Sequence, residues 1–395
     1  MLRVAITERP QWRELAHQLG FHFHTIEGEP YWTEDAYYQF TLTQIEQDIE
    51  DPTEALHEMC MDAVDRVCQS DALLHQLNIP AQMWGVIRAS WRNGQPHLYG
   101  RMDFAYSGNG PAKLLELNYD TPTSIYEAGF FQWLWLEQVI EQRLLPAHAD
   151  QYNSIQERMI AALAHIGQRL ERDPPASPAL HFASIKAHEE DRATVAYLQD
   201  CALQAGLNAP FIHIEDIGYQ PNTGHGCFVD LENRPIRALF KLYPWEEMSD
   251  DLFGELLPMM QTHWFEPPWK AILSNKGILP LLWQWHEGHP NLLPAYFDTS
   301  DGTSLTPGWV RKPFFSREGS NIELMTTSGQ YEAVDGPYTD NPRILQAYHP
   351  LPRFGERHAL IGSWVVGDKA CGIGIREDVG KITKDSSCFV PHAIV

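Results

Sequence analysis

No stretch of this 395-residue chain is apolar for the roughly 20 residues that a bilayer-spanning helix needs. The opening MLRVAITERPQWREL also lacks the apolar segment of a secretory signal, so a cytoplasmic protein with no membrane partner is expected. The six cysteines (Cys60, Cys68, Cys201, Cys227, Cys371, Cys388) show no C-x-x-C or other ligand spacing. They read as free, buried thiols, which excludes a disulfide scaffold and a zinc module. Positive charge is scarce: 29 Lys and Arg face 52 Asp and Glu, a formal net charge of −23 that argues against nucleic acid as a partner. The deficit is uneven, because residues 1–150 hold 22 acidic against 9 basic side chains, with Lys113 the only lysine, whereas residues 264–395 hold 14 against 12. Such a chain can offer an acidic wall to a cationic substrate and a more basic one to phosphates, and acidity serving solubility alone fits the same count. Also missing is G-x-x-x-x-G-K-[ST], which excludes a P-loop NTPase.

What is present centres on residues 99–124, YGRMDFAYSGNGPAKLLELNYDTPTS. Arg101 and Asp103 stand at i, i+2, as do Glu116 and Asn118, so each pair shares one face of a strand. A hairpin centred on Asn109-Gly110 sets Asp103 opposite Glu116 and Arg101 opposite Asn118, with Met102 and Leu117, then Phe104 and Leu115, on the core face. Pro111 cannot donate the closing hydrogen bond of a two-residue turn, so a four-residue loop in the same register is expected. Two carboxylates and an amide oxygen in one place suit Mg²⁺ or Mn²⁺. An ordinary solvated strand face, with Arg101 paired to Glu116 or Asp103, fits the same alternation, and the pattern alone leaves both readings open.

Around this hairpin the chain reads as α+β. Helices are expected over Glu34 to Glu50, from Asp51-Pro52 through Val67, over Glu127 to Gln142 with an aromatic face (Phe130, Trp133, Trp135), and over Asn153 to Glu171. Leu180 to Ile185, Asp191 to Ala205 and Pro210 to Ile214 form a βαβ-like unit after a proline-rich linker at 172–178. No glycine fingerprint follows its first strand, so it is not a dinucleotide site. A second hairpin is expected at Cys227 to Leu231 and Ile236 to Leu242. Strands then alternate with short loops: Gly308 to Pro313, Asn321 to Met325, Ile344 to Tyr348, Leu360 to Val366, Ala370 to Arg376 and Lys381 to Lys384. Three regions follow: a helical N-terminal region with the hairpin (1–172), a βαβ-containing substrate-side lobe (179–262), and a nucleotide-binding lobe (263–395) packing against the hairpin.

Phosphate-type signals lie in the last of these regions. Val310-Arg311-Lys312-Pro313 ends a strand in lysine before a loop of small residues, Ser316-Arg317-Glu318-Gly319-Ser320, whose N–H groups can lie over a triphosphate. Ser274-Asn275-Lys276-Gly277 opens an apolar helix, and Arg376 and Lys384 sit at strand ends. Each taken alone reads equally well as a solvated surface charge.

Read in order, Arg101-x-Asp103, Glu116-x-Asn118-x-Asp120, Ser274-Asn275-Lys276, Arg311-Lys312-Pro313 with Arg317 and Gly319, Gln346, and Ile375-Arg376-Glu377-Asp378 resemble the synthetase domain of the glutathionylspermidine synthase family. The likeness is strongest to its stand-alone bacterial relatives, the acid–amine ligases. The resemblance implies an ATP-grasp-like synthetase fold, ATP, two Mg²⁺ ions and amide formation through an acyl phosphate. It implies Asp103, Glu116 and Asn118 as metal ligands and Arg101 as the catalytic stabiliser of the transition state. It also implies Arg101, Met102, Asp103, Lys276, Lys312, Gly319, Gln346 and Lys381 at the nucleotide. Thr121, Thr123, Glu246, Arg376 and Lys384 are implied on the substrate side, with Thr121 and Thr123 where glutathione-using members have serines. The amidase half of the family's bifunctional members is not expected in this chain. The implied partners are a small-molecule or peptide carboxylate, glutathione among the options, and an amine such as a polyamine. Two competing readings are a ligase joining an amino acid to a peptide or protein carboxylate, and a catalytically silent nucleotide-binding protein.

Overall fold

Alternation of polar and apolar residues makes Tyr99–Ala105 and Lys113–Asn118 antiparallel strands, and their register pairs Arg101 with Asn118, Met102 with Leu117 and Asp103 with Glu116. The computed structural model describes residues 1–26, 28–171, 179–221, 226–260, 262–300, 304–384 and 386–395. Two details of the hairpin differ from the sequence reading. A bulge after Asp103 pairs Phe104 with Leu114 in place of Leu115, and seven residues, 106–112, join the strands where four were expected. The extra residue keeps Leu114 buried beside Phe104 and leaves Leu115 turned toward the other face.

The hairpin is one edge of a larger antiparallel sheet that continues through Arg357–Val366, Lys369–Asp378 and Cys388–Val390. Asp103 lies opposite Gly362 and Arg101 opposite Trp364. A Cβ at position 362 would sit 2.7 Å from Cδ of Arg101, so glycine there leaves the space in which the arginine side chain lies. A second antiparallel sheet has the order Ala295–Phe297, Arg343–Ala347, Trp309–Pro313, Glu323–Met325, Tyr331–Ala333. The third sheet is parallel throughout: His263–Phe265, Ala238–Leu242, Leu180–Ser184, Phe211–His213. Its two inner strands are buried at every residue, as expected for a parallel sheet covered on both faces, and the helix Glu189–Gln204 makes the βαβ crossover.

Several expected elements changed type. The helix read over Glu34 to Glu50 is a strand at Ala36–Phe40, held between Leu2–Ala5 and His392–Ile394. Its run of aromatics favours the pleated surface, and helix begins only after Thr41, which forms a capping box with Gln44. The hairpin read at 227–242 keeps its turn, with Val229 opposite Pro235 and the Ile236 N–H donating to the Phe228 carbonyl at 2.8 Å, but its arms diverge: Cys227–Val229 pairs with Gly218–Gln220, and Ala238–Leu242 is drawn into the parallel sheet. Lys381 to Lys384 is loop and not strand. Of the aromatic face at Phe130, Trp133 and Trp135, only Trp135 is core, and Trp133 is 45% exposed. The proline-rich linker at 172–178 lies outside the described residues. Among the described residues no helix is long and apolar enough to cross a membrane.

Met102, Phe104, Leu114 and Leu117 anchor the hairpin in one hydrophobic cluster, and Tyr99 anchors it in another. A buried ion pair ties it to the parallel sheet: Lys241 Nζ donates to Asp120 Oδ1 at 2.6 Å, both side chains fully buried, and the Trp245 N–H donates to Asp120 Oδ2 at 2.9 Å. Removing one partner strands the other charge without water. Lys241→Met should therefore lower stability by about 3–5 kcal/mol, read as a drop in the urea midpoint with an unchanged slope.

Candidate active site

The polar face of the hairpin is a chain of charge-assisted hydrogen bonds. Arg101 grips Asp103 with two parallel bonds, Nε to Oδ1 at 2.7 Å and Nη2 to Oδ2 at 3.0 Å, and its Nη1 donates to the Thr123 carbonyl at 2.8 Å. The guanidinium also lies 5.6 Å from the ring centre of Trp364. Asn118 Nδ2 donates to Asp103 Oδ2 at 2.9 Å and to Glu116 Oε1 at 3.2 Å, bridging the two carboxylates. Burial drives the Asp103 carboxyl up; Arg101 pulls it back and Glu116 adds to the rise. Glu116 behaves in the opposite way. Its side chain is 24% exposed, against 2% for Asp103. Burial alone would raise it, but Lys276, Lys312, the Asn118 bond and Arg101 together hold it down at about 2.

Both lysines reach the hairpin from the C-terminal region. Asn275 fixes the entry to the helix Ile278–Trp285, donating to the Leu77 carbonyl at 2.6 Å and accepting from the Gly277 N–H at 2.7 Å. That bend directs Lys276, whose Nζ is 3.5 Å from Glu116 Oε2 and donates to the Ser316 carbonyl at 2.6 Å. Lys312, on Trp309–Pro313, donates to the Leu115 carbonyl at 2.8 Å, using the residue exposed by the bulge. Burial pushes Lys312 down to about 8; Glu116 opposes the fall and Lys276 adds to it.

Between the hairpin sheet and the second sheet lies a cleft enclosing about 660 Å³, open solvent included. Asp103, Glu116, Lys312, Gln346 and Lys381 form its polar end, and Val310, Leu324, Leu360 and Ile382 its apolar wall. Gln346 is buried and donates to the Leu114 carbonyl at 3.2 Å; the Lys381 ammonium is 3.5 Å from Glu332. Gly319 lines the same cleft at φ +71°, where a Cβ would meet the Thr383 carbonyl oxygen at 2.8 Å. Met102 turns its side chain away, into the core.

A smaller cavity adjoins this cleft, with Asp103 and Leu360 in both walls, and is lined by Arg101, Arg376, Ser124, Trp364 and Phe389. Arg376 is steadied there by the carbonyls of Lys384 (2.8 Å) and Ser387 (3.2 Å). Thr123 contributes its carbonyl to Arg101, while Thr121 is half-buried. Glu246 lies in a separate acidic groove with Tyr243, Glu247, Asp250 and Asp251, and is paired with Arg317 from the glycine-containing loop. Another concavity, about 2100 Å³ with open solvent included, lies elsewhere, and its walls at Leu170, Gly226, Met260 and Thr262 flank segments outside the described residues.

A family model described as glutathionylspermidine synthase preATP-grasp matches residues 3–395. The chain belongs to the glutathionylspermidine synthase family. A protein of Haemophilus influenzae named "Putative acid–amine ligase" is 39% identical over 98% of both chains. The bifunctional glutathionylspermidine synthetase/amidase of Escherichia coli is 28% identical over 92% of this chain and 60% of its own length. Among solved structures, a glutathione synthetase-like effector of Globodera pallida superposes with a TM-score of 0.57 at 11% identity, covering 91% of this chain and 89% of that one, which is a likeness of fold. Membership makes the chain a carbon–nitrogen ligase.

Of the residues singled out from the sequence, the structure brings Arg101, Asp103, Glu116, Asn118, Lys276, Lys312, Gly319, Gln346, Lys381 and Arg376 around two adjoining cavities. Glu246 stands apart, joined to them through Arg317. Missed by sequence reasoning were Trp364 and Ser124 in the cavity wall, and Tyr31 and Glu127 behind it. Asp120 continues the i, i+2 spacing of Glu116 and Asn118, a signal for its place, though nothing local identified Lys241 as its partner. Because Glu116 is the main influence holding the Lys312 ammonium charged, Glu116→Gln should move Lys312 below its value of about 8. The shift is measurable by NMR titration of lysine Nζ in metal-free protein; an unmoved Lys312 would contradict this coupling.

Proposed function

We propose that the chain is an ATP- and Mg²⁺-dependent acid–amine ligase that activates a carboxylate as its acyl phosphate and transfers the acyl group to an amine. The observation that carries this reading is the convergence of Lys276, Lys312 and Arg101 on the paired Asp103 and Glu116, between two adjoining cavities, in a family of carbon–nitrogen ligases. Ammonium groups suit phosphate oxygens, and the apolar wall at Val310, Leu324 and Ile382 suits a purine ring.

The donor set fits Mg²⁺. It offers hard oxygens from two carboxylates and, after a half-turn of its amide, from Asn118. Among the described residues no group of three or more His, Cys, Asp or Glu is arranged to hold a metal. Mg²⁺ takes few protein carboxylates and completes its shell with water and substrate phosphates, so two suffice. When bound, the ion neutralises phosphate charge and aligns the transferring group.

The remaining steps belong to the chain's own side chains. Lys276 and Lys312 hold the phosphates. Arg101, braced by Asp103 and the Thr123 carbonyl, and Arg376 present fixed positive charge to the oxyanion and the leaving phosphate. The loop around Gly319 covers the cleft and excludes the water that would hydrolyse an acyl phosphate. The acid lies along Arg376, Thr121, Thr123 and Lys384; a methyl in place of hydrogen at each threonine narrows that side relative to serine. A cationic amine approaches past the acidic groove at Glu246, Glu247 and Asp250.

The deciding experiment incubates the protein with ATP, Mg²⁺ and a panel of carboxylates and amines, glutathione and spermidine included. ADP release is followed and condensation products are identified by mass spectrometry. Tight Mg²⁺–ATP binding with no ADP across the panel would favour the silent nucleotide-binding protein. With an active pair, Arg101→Ala should lower kcat by about 10²–10³-fold while ATP affinity, measured by calorimetry, is largely kept. Steering by the acidic region should also make kcat/KM for a cationic amine fall as salt rises, whereas a neutral amine stays level.

A further inference from the structure

Behind the arginine-lined cavity lies a hydrogen-bonded chain that the roles above do not use. Tyr31 Oη donates to Glu127 Oε1 at 2.6 Å and lies 3.2 Å from Ser124 Oγ. All three side chains are buried, at 0% exposure for Tyr31, 3% for Ser124 and 1% for Glu127. A tyrosine hydroxyl has one hydrogen, and the shorter bond to a carboxylate takes it. Ser124 must then donate to Tyr31, which leaves the lone pairs of Ser124 Oγ for a group inside the cavity, where Ser124 forms part of the wall beside Arg101 and Arg376.

Three features mark this chain as more than packing. Glu127 Oε2 is buried with no hydrogen-bond partner among the described residues, a costly state for a carboxylate unless it takes up a proton. Ser124 has φ +68°, in the left-handed region that a non-glycine residue seldom occupies and that is found at functional sites. Glu127 opens a π-turn, Glu127–Phe131, set between helical residues 125–126 and the α-helix Gln132–Glu141.

We infer that Ser124, Tyr31 and Glu127 form a proton relay that takes the proton released when the amine attacks the activated acid. Ser124 is the catalytic member, because it meets the nitrogen; Tyr31 and Glu127 act through it as positioning residues. The inference rests on the acyl-phosphate reading above. The substrate ammonium first loses one proton to water. The nitrogen lone pair then forms the C–N bond, and the carbon–oxygen bond to phosphate breaks with its electrons staying on the phosphate. The surplus N–H proton passes to Ser124 Oγ, the Ser124 proton to Tyr31, and the Tyr31 proton to Glu127 Oε1. Glu127, now neutral, returns its proton along the same chain to the released phosphate.

Electrostatics agrees with this assignment. Burial raises the Glu127 carboxyl; Tyr31, Arg376 and Arg101 only partly offset it. Burial and the neighbouring Glu127 and Glu190 carboxylates keep Tyr31 a neutral hydroxyl far above its ordinary value, with Arg376 opposing them. Turnover should accordingly rise with pH as Glu127 loses its proton and becomes able to accept one.

The test compares wild type with Glu127→Gln, Tyr31→Phe and Ser124→Ala in two ways. Infrared difference spectra of the resting protein across a pH titration should show a protonated-carboxyl band that Glu127→Gln removes and that shifts in both other variants. With ATP, Mg²⁺ and glutathione, turnover is measured with spermidine and with hydroxylamine, which is uncharged at neutral pH and a strong nucleophile. The variants should lose about 10²–10⁴-fold with spermidine, and Glu127→Gln should lose the rising limb of the pH profile, while hydroxamate formation falls far less. Equal losses with both nucleophiles, or a Glu127 band unmoved by Ser124→Ala, would overturn the relay. If the wild type forms no hydroxamate, acid activation of glutathione is what fails, and the infrared measurement still decides whether the three groups are coupled.

Discussion

Placing two carboxylates side by side on one hairpin, one buried and one poorly solvated, is the constraint that the rest of the structure answers. Asp103 and Glu116 are opposite each other in the ladder, the first buried and the second only partly exposed. Arg101 satisfies Asp103 from the same strand, and Lys276 and Lys312 satisfy Glu116 from 160 and 196 residues further along. Opposite charge brought this close in a poorly solvated place is strongly coupled, which is why Lys312 and Glu116 both depart from their ordinary ranges. Such a site presents fixed charge of both signs, which is what the proposed Mg²⁺–ATP ligand requires.

The glycines and the bulge serve that same arrangement. Without a side chain at Gly362, Arg101 can lie flat on the neighbouring strand, and the bulge after Asp103 turns the Leu115 carbonyl toward Lys312. The deeper ion pair between Asp120 and Lys241 locks the end of the hairpin to the parallel sheet, and the adjoining Trp245 N–H fixes the start of the segment that carries Glu246. The lysine-lined cleft and the acidic groove therefore stand in one frame, and Arg317 pairs with Glu246 and Glu247 of the groove from the glycine-containing loop.

Local alternation was enough to pair Arg101, Asp103, Glu116 and Asn118, because the side-chain period of a strand is fixed and the turn residues marked its centre. The strand at Ala36–Phe40 escaped a local reading, since aromatics at helical spacing also suit a strand and its partners lie at the two ends of the chain. Ala238–Leu242 misled for a related reason: a buried parallel strand carries no alternation, and its lysine is interpretable only beside Asp120.

By itself the sequence determined the polar face of the hairpin, the lack of a P-loop motif, and the order of motifs that resembles one ligase family. Short-range geometry and residue chemistry are properties of neighbours along the chain, so they are legible there. Only the tertiary structure decided which cations meet Glu116, which residues wall the cleft, and that Tyr31, Ser124 and Glu127 stand in line behind Arg101. Those facts depend on contacts across as many as hundreds of residues. They are set by how three sheets pack, a balance of burial and charge that no local pattern encodes.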